Sequence, residues 1–260
     1  MTIREFGSRA IPAAPWICAL FGILFFLAGW FLIAKTYQNP ILAPSPREVA
    51  ISLIDLLRDG SLLRDWTASL RRVLIGFFLA AGISIPLALL LSAVSPVRWL
   101  LLPLVNLLRP IPPIAWIPMA ILWFGIGDAS GCFITSIAAF FPIFISSFSA
   151  STSIETQYLR AARCLGSTRW ALLTRIYLPS SLPGIWTGLR IGLGQSWMAV
   201  VTAELIAAQS GLGYMIQANR LQLETPRVIV GMITIAVTGT VMTAGLERLS
   251  RHLFPWQHLP

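Results

Sequence analysis

Charge is scarce in this sequence. Asp, Glu, Lys and Arg together make up 11% of it, where an average soluble domain carries about 25%. Cysteine is scarce as well: Cys18, Cys132 and Cys164 are odd in number, far apart and without a C-x-x-C pair. That pattern encodes neither a disulfide framework nor a metal ribbon, and the three thiols read as buried small hydrophobes. The two histidines, His252 and His258, both fall in the polar tail, so no His/carboxylate cluster for metal-assisted hydrolysis can be assembled. A G-x-x-x-x-G-K-S/T phosphate loop is missing too. Gly125-Ile-Gly127, Gly192-Leu-Gly194 and Gly211-Leu-Gly213 are bare G-x-G fragments without the strand that a phosphate cradle needs. These absences exclude a secreted disulfide scaffold, a disordered chain and an ordinary cytosolic enzyme.

Apolar residues are what the chain has in excess. They fill 56% of its 260 positions, and the mean hydropathy is +0.77. They form long unbroken runs instead of the alternation a membrane barrel shows, which makes the expected fold all-α and polytopic. Six runs stand out, at about 15–34, 73–94, 100–123, 132–149, 185–207 and 228–246. The first is long enough to cross the hydrocarbon as a helix and has no convincing cleavage site, so it reads as an uncleaved span. The net charge of +9 does not imply a nucleic-acid partner. Lysine occurs once, at Lys35, and the arginines punctuate the apolar runs without forming a patch that could collect phosphates.

Basic residues in short loops set the orientation. Arg4 and Arg9 precede the first run, Arg98 sits between the second and third, and Arg160, Arg163, Arg169 and Arg175 follow the fourth. Arg248 and Arg251 follow the sixth, whereas the Gly125–Asp128 turn has no basic residue. Both termini are therefore expected in the cytoplasm. The segment 35–72 runs against this pattern: it carries several arginines yet lies outside, with Asp55, Asp59 and Asp65 offsetting part of the charge. The expected organisation is a tail and first span (1–34), an external segment (35–68), a core (69–249) and a cytoplasmic tail (250–260).

In the external segment, Ser45-Pro-Arg-Glu48 is a capping box with proline at the first helical position. Val49, Leu53, Leu56 and Leu57 recur at helical spacing before Asp59-Gly60 ends the run. The helix is either an interfacial element resting on lipid or a docking surface for an external partner. Trp16, Trp30, Trp99 and Trp123 flank spans and read as interface anchors.

The inner loop 154–182 is polar, basic and patterned. Tyr158 to Leu165 suits one short helix, Gly166 a left-handed stop, and Thr168 to Leu178 a second helix ended near Pro179. Ala161 and Ala162 at the centre of the first helix let another protein approach closely, and the flanking arginines can pair with its acids. A mere connector would not need this length.

The pattern A-A-x-x-L-G, followed by L-P about a dozen residues later, resembles the cytoplasmic coupling loop of permease subunits in binding-protein-dependent ABC importers. Further stretches resemble that family in the expected order. They are Ser69-Leu-Arg-Arg-Val-Leu-Ile-Gly76, Arg109-Pro-Ile-Pro-Pro-Ile-Ala-Trp-Ile-Pro118 and Trp123-Phe-Gly-Ile-Gly127, then Gly188-Leu-Arg-Ile-Gly192, Ala203-Glu-Leu-Ile-Ala207, Gly211-Leu-Gly213 and Pro255-Trp256. The likeness covers about 45–256 and is greatest to the branch for nitrate, taurine, aliphatic sulfonates and related small anions. One departure matters: the coupling motif usually opens with Glu, and here that position is Arg160.

The resemblance implies a type I importer permease without a catalytic centre, in the bacterial inner membrane. Two copies, as a homodimer, would form the pore, and an external periplasmic or lipid-anchored binding protein would deliver the solute. Separate cytoplasmic ATPase subunits, which bind the ATP and Mg, would grip the coupling loop through Arg160, Ala161, Ala162, Arg163, Leu165 and Gly166, with Pro179 closing it. No cofactor is expected in this subunit.

Charges and prolines inside the spans point to the pathway. A charge near the helix centre costs about 2.5–3.5 kcal/mol on insertion scales and so should face a cavity or a partner. Arg109, followed by Pro110, Pro112, Pro113 and Pro118, must break its helix, and broken backbone is tolerated where it lines protein or water. The stretch from Arg109 through Pro112 to Trp116 is expected to border the route, with Arg109 facing a passing anion, snorkelling to the inner surface or pairing within the subunit. Glu204, near the outer end of the fifth span, is expected to tie down the Gly211-Leu-Gly213 loop or pair with an arginine, and Glu204, Gly211 and Gly213 are expected along the translocation pathway with Arg109, Pro112 and Trp116. Arg190 reads as a headgroup anchor, and the polar stretch 211–226 as a dip towards the pore entrance or the binding protein.

Two other classes remain at this stage. A stand-alone secondary transporter or channel would show inverted repeats and ionisable groups at mid-depth. An intramembrane enzyme would need paired catalytic groups at one depth, which the spans do not offer.

Overall fold

Each helix begins and ends where local chemistry dictates. A computed structural model of the chain describes residues 14–37, 39 and 41–253, and the side chains of residues 14–20, 23, 169 and 252 lie outside that description. The expectations for Arg4, Arg9, Pro255, Trp256 and His258, and for the side chains of Trp16, Cys18, Arg169 and His252, therefore fall outside the described residues.

Helix α1 (Ala14–Tyr37) is tethered to the rest through Trp30, whose Nε1 donates to the Pro44 carbonyl at 2.9 Å. Helix α2 (Pro46–Arg58) starts at the expected box: Glu48 N–H donates to Ser45 Oγ and Ser45 N–H to Glu48 Oε2. Its buried face is Val49 and Leu56, whereas Leu53 and Leu57 are exposed. Gly60, left-handed at φ 73°, turns the chain into α3 (Ser61–Ala93). At that turn, Ser61 donates from Oγ and N–H to Asp59, and these bonds hold the exposed Asp59 carboxyl below its usual range.

Helix α3 is longer than the apolar run suggested. It takes in residues 61–72, which hydropathy assigned to the external segment and loop, because Leu62, Asp65, Ser69 and Arg72 are buried along one face of it. Helix α4 (Ser95–Leu108) breaks at the proline cluster. The chain resumes as a 3-10 turn (Pro113–Trp116) running into α5 (Ile117–Phe124), bent by 92° from α4. Pro110, Pro112 and Pro113 cannot donate to an α-helical ladder, so the break falls where they cluster.

Helix α6 (Asp128–Thr152) leads to α7 (Thr156–Cys164), and Gly166, at φ 76°, is the left-handed stop. The second loop helix does not end near Pro179. Helix α8 (Arg169–Leu172) passes through a π turn (Leu173–Tyr177) straight into α9 (Leu178–Ala207). The wider i→i+5 turn takes up the misfit of a proline that follows it, so one long element replaces two. Cys164, expected to be buried, is exposed because α7 buries none of its residues in the chain. Helix α10 (Leu212–Leu221), bent 44° from α9, buries Leu212, Met215 and Asn219, and α11 (Thr225–Leu253) completes the order.

Among the described residues, three helices are long and apolar enough to cross a membrane, and counting each bent pair as one span gives up to five. The core is the triplet α3, α6 and α9. Glycines let it close: a Cβ on Gly188 would lie 2.9 Å from Ser146 Cβ and 3.0 Å from Ile143 Cα, and one on Gly184 only 2.3 Å from Ala150 Cβ. Between lipid-solvated helices, such close approach supplies much of the association energy. Gly188→Val should therefore lower the thermal stability of the purified chain, by about 1–3 kcal/mol for overpacking. Gly194→Ala, where a Cβ meets nothing within 4 Å, should be neutral or slightly stabilising in the same melt.

Candidate functional site

Helix direction sorts the functional groups by depth. Helix α6 runs from Asp128 to Thr152, next to α7, so Asp128 lies about 37 Å from the α7 end at 1.5 Å per residue. The starts of α3 and α6 and the end of α9 meet at that far end, in a buried polar cluster. Arg72 is 2% exposed and bridges two acids: its Nη1 lies 2.6 Å from Glu204 Oε1 and its Nη2 lies 2.6 Å from Asp128 Oδ1. Arg72 Nε also donates to Asp128 at 2.7 Å, Nη1 to the Ser210 carbonyl at 2.7 Å and Nη2 to Ser210 Oγ at 2.8 Å.

Glu204 ties down the loop that follows α9, as its position suggested, and pairs with an arginine as well. It accepts from Gly213 N–H at 2.9 Å and from Ser69 Oγ at 2.8 Å, while Leu212 N–H donates to Ser69 Oγ at 2.8 Å. Asp65 accepts from Gly211 N–H at 3.0 Å. Gly211 has no substitute here: its φ is 113°, and a Cβ would sit 2.3 Å from Glu204 Oε1. Gly131 leaves room for the stem of Arg72, whose Cδ would be 3.0 Å from a Cβ there. Arg72, Asp128, Asp65 and Ser69 had no role assigned from sequence. The available signal was a cation at the mouth of one apolar run and a carboxylate inside another.

A second arrangement lies between the ends of α6 and α9. Arg109 and Pro112 line a cavity of about 380 Å³ with Pro113, Phe141, Ser146 and Gln195 among its walls. The Arg109 side chain is exposed and makes no hydrogen bond or ion pair among the described residues. Trp116 does not share that cavity. It lines a separate one of about 240 Å³ with Leu108, Phe133 and Phe140, and its buried Nε1 finds no acceptor among the described residues. Glu204, Gly211 and Gly213 belong to the buried cluster and not to the Arg109 cavity. Arg190 reaches Glu247 on α11 at 3.5 Å.

The third arrangement is the face of α7. Leu159 and Ala162 are half-buried, while Tyr158, Ala161 and Leu165 form an exposed stripe at i, i+3, i+7 flanked by exposed Arg160 and Arg163. Pro179 is exposed at the start of α9.

Removing one partner of a buried pair costs about 3–5 kcal/mol, because the other charge is left uncompensated. Glu204→Leu should therefore sharply reduce the yield and melting temperature of the detergent-purified chain. Asp128→Asn should cost clearly less, since the Asp128 side chain is 55% exposed and water can replace it.

Comparison with known proteins identifies the family. Residues 73–256 match the family described as binding-protein-dependent transport system inner membrane component. An ABC transporter permease protein of Brucella abortus (strain 2308) is 38% identical over 231 residues, covering 89% of this chain and 92% of the relative. The taurine transport system permease protein TauC of Escherichia coli (strain K12) is 37% identical over 236 residues, covering 88% and 86%. The formylaminopyrimidine transport permease protein ThiX of Halalkalibacterium halodurans is 31% identical over 242 residues, covering 92% and 96%. Among solved structures, an inward-facing form of the MetNI methionine ABC transporter superposes with a TM-score of 0.68 at 20% identity, over 75% of this chain and 97% of that one. The chain belongs to the binding-protein-dependent transport system inner membrane components, as a non-catalytic permease subunit of an ABC transporter.

Proposed function

We propose that this permease carries a small anion, a taurine-like sulfonate or a nitrate-like ion, inward across the bacterial inner membrane by alternating access. In this reading α1 is a sixth span, both termini are cytoplasmic, and a homodimer of the chain encloses the route. A separate ATPase subunit grips α7, and a binding protein delivers the solute to the far end. Membership of the family sets aside the stand-alone secondary transporter.

The observation that carries the anion reading is Arg109. A mid-depth guanidinium that faces a cavity and has no acid among the described residues offers charge to something that passes. Relatives alone leave the solute open, since one is named for taurine and another for formylaminopyrimidine. The α7 stripe supports the coupling role. Small Ala161 between Tyr158 and Leu165 gives a partner's groove a place to close, and Arg160 and Arg163 favour acids on its rim.

Arg109→Gln should lower ATP-driven uptake by about 10- to 100-fold, the worth of one charge-assisted hydrogen bond. The measurement is uptake by the assembled importer in proteoliposomes, against a panel of taurine, nitrate and bicarbonate; unchanged uptake rules the role out. Ala161→Trp should abolish co-purification of the ATPase without altering the melting temperature of the permease, because α7 buries nothing in this chain.

A further inference from the structure

Helix α9 leaves one stripe uncovered from its inner to its outer half. Thr187, Ile191, Gly194, Gln195 and Met198 are exposed along it, and half-exposed Thr202 follows. The hydroxyls on this stripe are satisfied within the helix: Thr187 Oγ1 donates to the Pro183 carbonyl and Thr202 Oγ1 to that of Met198. Gln195 is different. Its amide has two donors and an acceptor, it stands near the middle of α9, and it has no partner among the described residues. Ser146, half-buried on α6, likewise has a hydroxyl without a partner there. Both line the cavity that holds Arg109, and that lining contains no carboxylate.

We infer that Gln195 and Ser146 complete, with Arg109, a transient binding site for a small oxyanion. The inference rests on the proposal that the Arg109 cavity is the route. Three spans supply the groups: Arg109 closes α4, Ser146 comes from α6 and Gln195 from α9. An oxyanion carries several acceptor oxygens, and one guanidinium edge covers only part of them. Oxygens that leave water without a donor are left unsatisfied, and a neutral amide and hydroxyl supply donors without adding charge. A site with one cation and neutral donors holds an anion weakly, as transit requires, where a cluster of arginines would trap it.

The test is a protection assay on the assembled importer in nanodiscs. Cys18, Cys132 and Cys164 are changed to Ser, and Ile191→Cys, one turn from Gln195 on the cavity wall, serves as the reporter. The neutral reagent methyl methanethiosulfonate labels the reporter in the presence of methanesulfonate or of chloride at equal ionic strength. Methanesulfonate should slow labelling at least about threefold relative to chloride, a shift of about 0.7 kcal/mol. Gln195→Leu should remove that protection and Gln195→Asn should keep part of it. Protection that persists in Gln195→Leu overturns the inference, as does its absence with Gln195 intact. Separation of the two copies by Gln195→Leu in light scattering also overturns it, since the residue would then be an assembly contact. The route itself is judged separately, by uptake in Arg109→Gln: loss of uptake there with full protection in Gln195→Leu leaves the route standing and removes only this site.

Discussion

A guanidinium held away from water must meet oxygen on every edge, and Arg72 does so by drawing on four elements at once. Glu204 from α9, Asp128 from the start of α6 and Ser210 from the loop before α10 converge on a side chain of α3. Helices in lipid gain nothing from hydrophobic collapse against each other, since the tails are as apolar as leucine. Close packing and polar bonds must then fix their arrangement. Glycines bring α6 and α9 into backbone contact, and the Arg72 cluster sets where along their length they meet. With α9 pinned at the end that carries Glu204, its uncovered stripe lies beside the break after α4, which creates the Arg109 cavity.

The same helix joins the ends of the bundle. From Arg169 through the π turn to Ala207 the chain makes no break, so the α7 end and the Arg72 cluster are the two ends of one element that passes the cavity on the way. In the proposed transport cycle a push on α7 reaches mid-depth as movement of a rod and needs no chain of side-chain rearrangements. The π turn is the one place where that rod departs from α-helical spacing, next to the loop that would receive the push. Gly125 and Gly127 both have positive φ, and they bracket the turn that presents Asp128 to Arg72.

Much of this was legible in the residues. The capping box at Ser45, the left-handed Gly166, the proline break after Arg109 and the loop-tying role of Glu204 all follow from local chemistry that the rest of the fold does not override. The parts that were not legible share a cause: each depends on what a residue meets far along the chain. Hydropathy ends a span at its last charge, and so it left Arg72 outside α3. Whether that charge is buried depends on Glu204, which is 132 positions away. Pro179 reads as a stop because nothing local announces the π turn that accommodates it. Trp116 and Arg109 lie seven residues apart in one motif, yet the 92° bend sends them to different cavities.

The two arginines show how one residue type serves opposite ends. Arg72 is saturated: acids and a carbonyl occupy its nitrogens, so it can neither attract nor release an ion, and it acts as a strut. Arg109 sits past a broken helix, facing a cavity with prolines, Phe141 and two neutral groups that have no partner among the described residues. Evolution could have matched it with an acid, as it matched Arg72, and the chain would have been easier to insert. A paired Arg109 would present no net charge to a solute. An unpaired one calls for water around it, and that water is what an anion needs in order to enter. In the proposed route, the absence of a carboxylate among the described residues lining the Arg109 cavity separates a pathway charge from a structural one, and the Arg72 cluster in the same chain shows that the alternative was within reach.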